Sequence, residues 1–161
     1  MEKLNVYDVA KLRKDSEPLS DYLISIPNNN AVFAKGSKDY HPDETVVKGL
    51  KRHAKDSVVV VFSAEWCPDC ANNLPLLKKI AEDSGLDVRV FGHLMRNPLN
   101  TSEKWKIPPS PPEVKEFNVV KIPLIVVLNK KGEKLGEIVE NPPKGLSLEK
   151  ALLQIYEKIC E

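Results

Sequence analysis

Two cysteines, Cys67 and Cys70, are the residues of this chain with the most distinctive chemistry. They lie in the stretch SAEWCPDCANNLPLL, directly after the apolar run VVVVF, and Pro68 and Asp69 separate them. A cysteine pair at this spacing is typical either of thiol–disulfide exchange or of metal binding. The rest of the sequence indicates which of these two chemistries is the better interpretation.

Disulfide exchange requires a thiolate, because the thiolate and not the thiol attacks a disulfide. The residues after Cys67 predict a helix from Pro68 to Ser84, since apolar residues recur at helical spacing and Gly85 follows as a stop. Unpaired amides and the helix dipole would stabilise an anionic sulfur at the start of that helix. We therefore expect Cys67 to be an exposed nucleophile and Cys70 to be a more buried resolving thiol.

A structural zinc site is the main alternative, and it requires four ligands, commonly two such cysteine pairs. The remaining candidate ligands have no partner spacing; they are Cys160, His41, His53 and His93. The sequence therefore predicts no metal site.

The composition is that of a globular protein with its own core: 161 residues, 42% hydrophobic and 29% charged. A formal net charge of +1 gives no reason to expect a nucleic-acid partner or an acidic membrane. The first residues lack a signal-peptide pattern, and no apolar run approaches the roughly 18 residues of a membrane span. Three cysteines argue against a secreted disulfide scaffold. We expect a cytoplasmic location.

The predicted elements around the cysteines alternate between strand and helix. The β-branched run SVVVVFS predicts a central strand that is buried on both faces, and LDVRVFG and IPLIVVL predict two further strands. The turn NKKG needs a positive φ at Gly132, and EKLGEIVE pairs back as a hairpin. Helices are expected over PDETVVKGLKRHAKDS, over PPEVKEF and after Ser147, and a short strand is expected over AVFAKG. This pattern predicts an α/β fold with a central mixed β-sheet flanked by α-helices.

These motifs resemble the thioredoxin family over roughly residues 45 to 160. The stretch FSAEWCPDC is similar to the family's strand end, with Trp66 directly before the first cysteine, and Pro75 falls where the family has a helix-kinking proline. The segment FNVVKIPLIVVLNKKGEKLGEIV is similar to its cis-proline loop and hairpin. WCPDC also matches small cytosolic thioredoxin-related proteins that reduce peptide and small-molecule disulfides.

The resemblance implies a thioredoxin-like fold, with residues 1–40 as an N-terminal extension packed on a domain of residues 41–161. It implies a cis peptide bond between Ile122 and Pro123 beside the sulfurs and no bound cofactor. In the family, the backbone at this proline pairs with the substrate like an added strand. The substrate-binding residues that the resemblance implies are Trp66, Pro68, Asp69, Ile122 and Pro123.

The chain departs from the family at the buried aspartate that helps to move the proton of the resolving thiol. That position is Val61, and the family's lysine partner aligns with Phe91, so that apolar side chains would replace a buried ion pair. His93, Glu65, Asp69 or a water are the candidates for proton transfer in its place.

Two further departures concern specificity. Asp69 between the cysteines repels a Cys67 thiolate, which favours a reductant over an oxidant. An insertion at about residues 95–112, with Arg96 and Trp105, is expected beside the cysteine loop, where it would reshape the substrate groove.

The sequence thus predicts an enzyme, a thioredoxin-like reductase of protein or small-molecule disulfides. An upstream reductase or thiol donor would restore its dithiol. The alternatives are a disulfide oxidase or isomerase, and a non-catalytic adaptor with the same fold.

Overall fold

A computed structural model describes residues 6–25, 40–64, 67–92, 113, 117, 119 and 121–158. Its helices are α1 (Val9–Asp15), α2 (Leu19–Ser25), α3 (Glu44–Ala54), α4 (Pro68–Ser84) and α5 (Leu148–Glu157). Its strands are β1 (Glu17–Pro18), β2 (Ser57–Phe62), β3 (Val88–Phe91), β4 (Leu124–Asn129) and β5 (Lys134–Val139). None of the described helices is both long and apolar enough to cross a membrane.

The strands form one mixed sheet in the order β1-β3-β2-β4-β5. Strand β2 lies at its centre, parallel to β3 and antiparallel to β4, and all six of its residues are buried. β4 and β5 form the antiparallel hairpin, and Gly132 in its turn has a φ of 87°. The predicted thioredoxin-like α/β fold is therefore confirmed.

The helices that cover the sheet begin and end where the sequence predicts. The Asp43 carboxylate caps the start of α3, and the Ser147 hydroxyl caps the start of α5. α4 continues through Pro75 and ends at Gly85, whose φ of 80° is the left-handed conformation typical of a helix stop. Each of these helices contributes apolar side chains to the core, among them Leu50, Leu74, Leu77, Ile80 and Leu152.

The amino-terminal segment, which the sequence predicts as an extension packed on the domain, contributes a strand to the edge of the sheet. β1 pairs antiparallel with β3 and forms one edge. The guanidinium of Arg89 donates to the Ser16 carbonyl at 2.8 Å and to the Ser16 hydroxyl at 3.0 Å. At the hairpin turn, the N–H of Tyr7 donates to the carbonyl of Gly132 at 2.8 Å. The predicted boundary at residue 40 between extension and domain stays a prediction.

Three predicted features lie partly or wholly outside the described residues. They are the strand AVFAKG, most of the helix PPEVKEF and the insertion at residues 95–112.

The contact between Tyr7 and the hairpin turn predicts a large effect of Gly132→Ala. A Cβ at Gly132 would overlap the backbone carbonyl of Tyr7 as well as strain a left-handed φ. We expect a loss of about 2–4 kcal/mol in the free energy of unfolding, measured by urea denaturation. Gly145→Ala is the matched control, because Gly145 has a φ of 89° with open space around it. Equal losses in the two variants would contradict a close contact at Tyr7.

Candidate active site

The two cysteines lie where β2 gives way to α4. Cys67 is the N-cap of the helix, and Cys70 lies in its first turn. The N–H of Cys67 donates to the carbonyl of Ala64 at 3.2 Å, and the carbonyl of Cys67 accepts from Ala71 at 3.0 Å. The Cys67 sulfur therefore lies at the N-terminus of α4, just after the central strand, as the sequence predicts.

The two thiols are reduced and lie together. The N–H of Cys70 donates to the Cys67 Sγ at 3.4 Å, and the Cys67 thiol donates to the carbonyl of Ile122 at 3.6 Å. Cys70 is 0% exposed and Cys67 only 6%. The expectation of an exposed Cys67 is therefore wrong, because the loop at Ile122 packs against its sulfur.

The environment of Cys67 favours its thiolate. Its pKa falls to about 7, chiefly because the Cys70 thiol donates a hydrogen bond to it. The backbone N–H groups of Cys70 and Asp69 add to this effect, whereas burial and the negative charge of Asp69 oppose it. The thiolate of Cys67 is therefore more populated at neutral pH than that of an ordinary cysteine.

The pKa of Cys70 is shifted upward, in the opposite direction to that of Cys67. Burial is the main cause that raises its pKa, and the hydrogen bond to Cys67 raises it further. Hydrogen bonds from the Ser63 hydroxyl and the Ala64 N–H act in the other direction. The site therefore holds one thiol ready to ionise beside another that keeps its proton.

The loop that faces the sulfurs has the predicted backbone. The Ile122–Pro123 peptide bond is cis, and both residues are buried. The carbonyl of Pro123 accepts from the N–H of Glu140 at 2.8 Å, and Glu140 has a positive φ of 62°. The loop is thus joined to the residues that follow β5.

Asn73, which the sequence analysis missed, connects this region to the cysteine helix. Its side-chain amide lies 2.8 Å from the Asp69 carbonyl, 3.1 Å from the Glu140 carbonyl and 2.9 Å from the Asn141 Oδ1. A buried asparagine inside a helix is unfavourable without such partners, and that is the signal that could have identified it. Asn73 therefore fixes the position of the cysteine turn relative to the cis-proline loop.

Comparisons with known proteins agree with this geometry. The sequence profile of a family described as thioredoxin matches residues 17–110, more than half of the chain. The chain belongs to the thioredoxin family. Membership supports thiol–disulfide oxidoreductase chemistry at the cysteine pair. A comparison with curated proteins finds no match.

Solved structures share the fold of nearly the whole chain. A protein of unknown function from Pseudomonas aeruginosa is 19% identical, with a TM-score of 0.69 and coverage of 95% of this chain and 99% of that one. An HIV epitope-scaffold protein has the same identity and TM-score, with coverage of 94% and 99%. The reduced thioredoxin pre-protein of Schistosoma mansoni is 25% identical, with a TM-score of 0.43 and coverage of 71% and 90%. At these identities the first two show the fold alone.

The position of the thioredoxin family's buried acid is apolar in this structure. Val61 is fully buried and pairs with Val90 and Ile125. Phe91 pairs with Phe62 and stacks on its ring. Phe91 and Val61 therefore point to opposite faces of the sheet, so these two side chains do not face each other.

The other predicted site residues divide into two groups. Pro68 begins α4, and Asp69 is half-buried in its first turn. Glu65, Trp66 and His93 lie outside the described residues. The described part of the chain contains no cluster of three or more His, Cys, Asp or Glu that could hold a metal ion.

Asp69→Asn should lower the pKa of Cys67, because it removes a negative charge that opposes the thiolate. We expect a decrease of about 0.5 pKa unit. Alkylation of Cys67 by iodoacetamide at about pH 6 would then be roughly threefold faster. Asp83→Asn, near the far end of the same helix, is the control that should change nothing. An unchanged or slower reaction of the Asp69 variant would contradict the prediction.

Proposed function

We propose that this protein is a dithiol–disulfide oxidoreductase that acts mainly as a reductase. The observation that carries the proposal is the pairing of Cys67, at the start of a helix with a pKa of about 7, with the protonated thiol of Cys70. Nucleophile and resolving thiol need opposite protonation states at the same pH, and this arrangement supplies both.

The reaction proceeds by two thiol–disulfide exchanges. The Cys67 thiolate attacks one sulfur of the substrate disulfide, forms a mixed disulfide and releases the other sulfur as a thiolate, which takes a proton from water. Cys70 then loses its proton and attacks the Cys67 Sγ. The second substrate sulfur leaves as a thiol, so the substrate gains two electrons and the protein is left with a Cys67–Cys70 disulfide.

The substrate would lie along the cis-proline loop. Main-chain groups at Ile122 and Pro123 would pair with the backbone of an extended segment, as in the addition of a strand. Trp66, Pro68 and Asp69 would contact the residues around the scissile disulfide. A peptide or small disulfide needs no cofactor for this exchange, because both electrons come from the protein's own dithiol.

The modest stability of the Cys67 thiolate supports a role as a reductant of substrate disulfides. A strongly stabilised thiolate, with a pKa near 3.5, favours the dithiol form and makes an oxidant. Cys67, at about 7, is far less stabilised, since burial and Asp69 oppose ionisation. The disulfide form is therefore easier to reach, and the dithiol gives up its electrons more readily.

The partners follow from this chemistry. We propose protein or small-molecule disulfides as substrates, and an upstream reductase or low-molecular-weight thiol as the electron donor. A reducing, cytoplasmic compartment suits a protein that must be returned to its dithiol after each turnover.

Insulin reduction tests the proposal directly. With dithiothreitol as the donor, the protein should accelerate precipitation of the insulin B chain severalfold over the donor alone. The same protein with Cys67 alkylated by iodoacetamide is the control and should have no effect. Equal rates for the two would favour the non-catalytic adaptor.

Titration against glutathione separates the reductase from an oxidase or isomerase. We expect a reduction potential in the range of thioredoxin and the glutaredoxins, about −270 to −200 mV. A value as oxidising as about −120 mV would contradict the reductive direction.

A further inference from the structure

The cis-proline loop places a backbone carbonyl against the nucleophile. The Ile122 oxygen accepts from the Cys67 thiol at 3.6 Å, and Cys67 is only 6% exposed. A carbonyl oxygen in this position favours the thiol, because it accepts the proton and repels the thiolate. The position of the loop therefore affects both the ionisation of Cys67 and the access of a substrate to its sulfur.

Glu140 joins the loop to the rest of the site. Its N–H donates to the Pro123 carbonyl at 2.8 Å, and its carboxylate lies 3.5 Å from the ammonium group of Lys121. These contacts hold the loop on both sides of Ile122. Glu140 has a φ of 62°, a conformation that is unfavourable for a residue other than glycine and that persists only where neighbouring contacts impose it.

Asn73 connects Glu140 to the cysteine helix. Its side-chain amide nitrogen lies 3.1 Å from the Glu140 carbonyl, 2.8 Å from the Asp69 carbonyl and 2.9 Å from the Asn141 Oδ1. Backbone carbonyls only accept, so the Asn73 amide is the donor in these contacts. A series of hydrogen bonds therefore runs from α4 through Asn73 and Glu140 to the cis-proline loop. We call Asn73 and Glu140 the clamp.

We propose that Asn73 is a positioning residue, which acts through Glu140 to hold the Ile122 carbonyl against the Cys67 sulfur until a polypeptide substrate takes that carbonyl. The proposal rests on the proposed function and deepens it, because it names the substrate class. The Pro123 carbonyl is already used by Glu140. Among the described residues, none pairs with the N–H of Ile122. The main-chain groups of Ile122 are therefore those that remain for an extended substrate.

The clamp should favour substrates that carry backbone amides. A substrate N–H that pairs with the Ile122 carbonyl draws this oxygen away from Cys67. The thiolate then loses a repulsive neighbour at the time when the disulfide arrives. A small disulfide without hydrogen-bond donors cannot produce this change. We therefore expect the protein to prefer polypeptide disulfides over such small molecules.

Alkylation of Cys67 by iodoacetamide measures the clamp without any disulfide substrate. All variants would contain Cys160→Ser, and Cys70 is buried and keeps its proton. In Asn73→Ala we expect the pH midpoint of the alkylation rate to fall by about 0.3–0.5 unit, because the loosened loop carries its carbonyl away from the sulfur. A variant that is merely less well folded would shift the midpoint upward, toward that of an ordinary cysteine.

The charged and ionisable groups around Cys67 are the same in every variant. Cys70 and Asp69 act on its sulfur from α4. The ion pair of Lys121 and Glu140 lies beside the loop. A shift of the midpoint therefore reports a change in the position of the loop and not a change in charge.

The chain provides a matched control and a milder test of the clamp. Asn72 is the same residue type one position earlier in α4 but is exposed, so Asn72→Ala should leave the midpoint unchanged. Asn141 is exposed after β5, so its replacement puts folding at little risk. Because Asn141→Ala removes one of the three acceptors of Asn73, it should lower the midpoint by a smaller amount than Asn73→Ala.

Single turnovers of the reduced protein test the substrate class. Insulin supplies backbone amides around its disulfides, whereas 4,4′-dithiodipyridine has no hydrogen-bond donor. In Asn73→Ala the insulin concentration at half-maximal rate should rise about three- to tenfold, because the loop no longer presents Ile122 in a fixed position. The rate with 4,4′-dithiodipyridine should not fall.

The possible outcomes are distinct. A midpoint that stays or rises in Asn73→Ala and Asn141→Ala, or that falls equally in Asn72→Ala, would overturn this inference alone. Equal losses of Asn73→Ala with the two disulfides would also overturn it. A native protein that reduces neither disulfide would overturn the proposed function and this inference with it.

Discussion

Cys67→Ser should reduce disulfide reductase activity by about a thousandfold or more, since a serine hydroxyl at this position has no accessible anion. In the native protein the amides of the first helical turn and the Cys70 thiol all act on one sulfur. Without that sulfur, the remaining thiol is buried and keeps its proton. The measurement is insulin reduction at saturating donor.

The matched control for this loss is Cys160→Ser. This third cysteine has no part in the proposed reaction, so its replacement should leave the rate unchanged. Activity retained by the Cys67 variant, or lost in the Cys160 variant, would place the reacting thiol elsewhere.

Cys70→Ser should stop the reaction at the mixed disulfide. The nucleophile remains, so a substrate sulfur still bonds to Cys67, but no second thiol can displace it. Mass spectrometry should detect a stable adduct of one substrate thiol per protein, whereas the native chain releases its product. The same variant should retain its natural substrates from a cell extract in a form that dithiothreitol releases.

Cys70→Ala is the informative companion to this variant. The hydrogen bond from the Cys70 side chain is the largest contribution that lowers the pKa of Cys67. Serine retains a donor and alanine does not, so only alanine should raise that pKa above about 7. Attack on a disulfide at neutral pH would then be up to about tenfold slower. Adduct formation at equal rates by the two variants would show that the hydrogen bond is not needed.

The sequence predicted the parts of the fold whose residues carry a strong local pattern. The run SVVVVF could only be a short, fully buried strand, and Gly85 and Ser147 mark helix boundaries by their own chemistry. The cis-proline loop was predictable because its residues resemble a known family. In each case the information lies within a few neighbouring positions.

The features that the sequence did not reveal depend on contacts between distant segments. Strand β1 has only two residues, Glu17 and Pro18, and a proline is unusual in a strand. Nothing in the local sequence therefore indicates that this segment pairs with β3. The hydroxyl oxygens of Tyr22 and Ser63 lie 2.9 Å apart, although nothing in the sequence near either residue indicates this contact. The burial of Cys67 likewise depends on Ile122, which is 55 residues further along the chain.

The ring of Tyr22 is fully buried beside Gly92, where a Cβ would overlap it. This contact has a consequence for the size of the independently folding unit. Without residues 6–25, the ring would be replaced by a hole at the end of β3, and comparable losses of aromatic side chains cost about 3–5 kcal/mol. The N–H and C=O groups of Val88–Phe91 that β1 covers would also face solvent. A chain that begins after residue 25 would therefore retain both cysteines but would be much less stable as a folded unit.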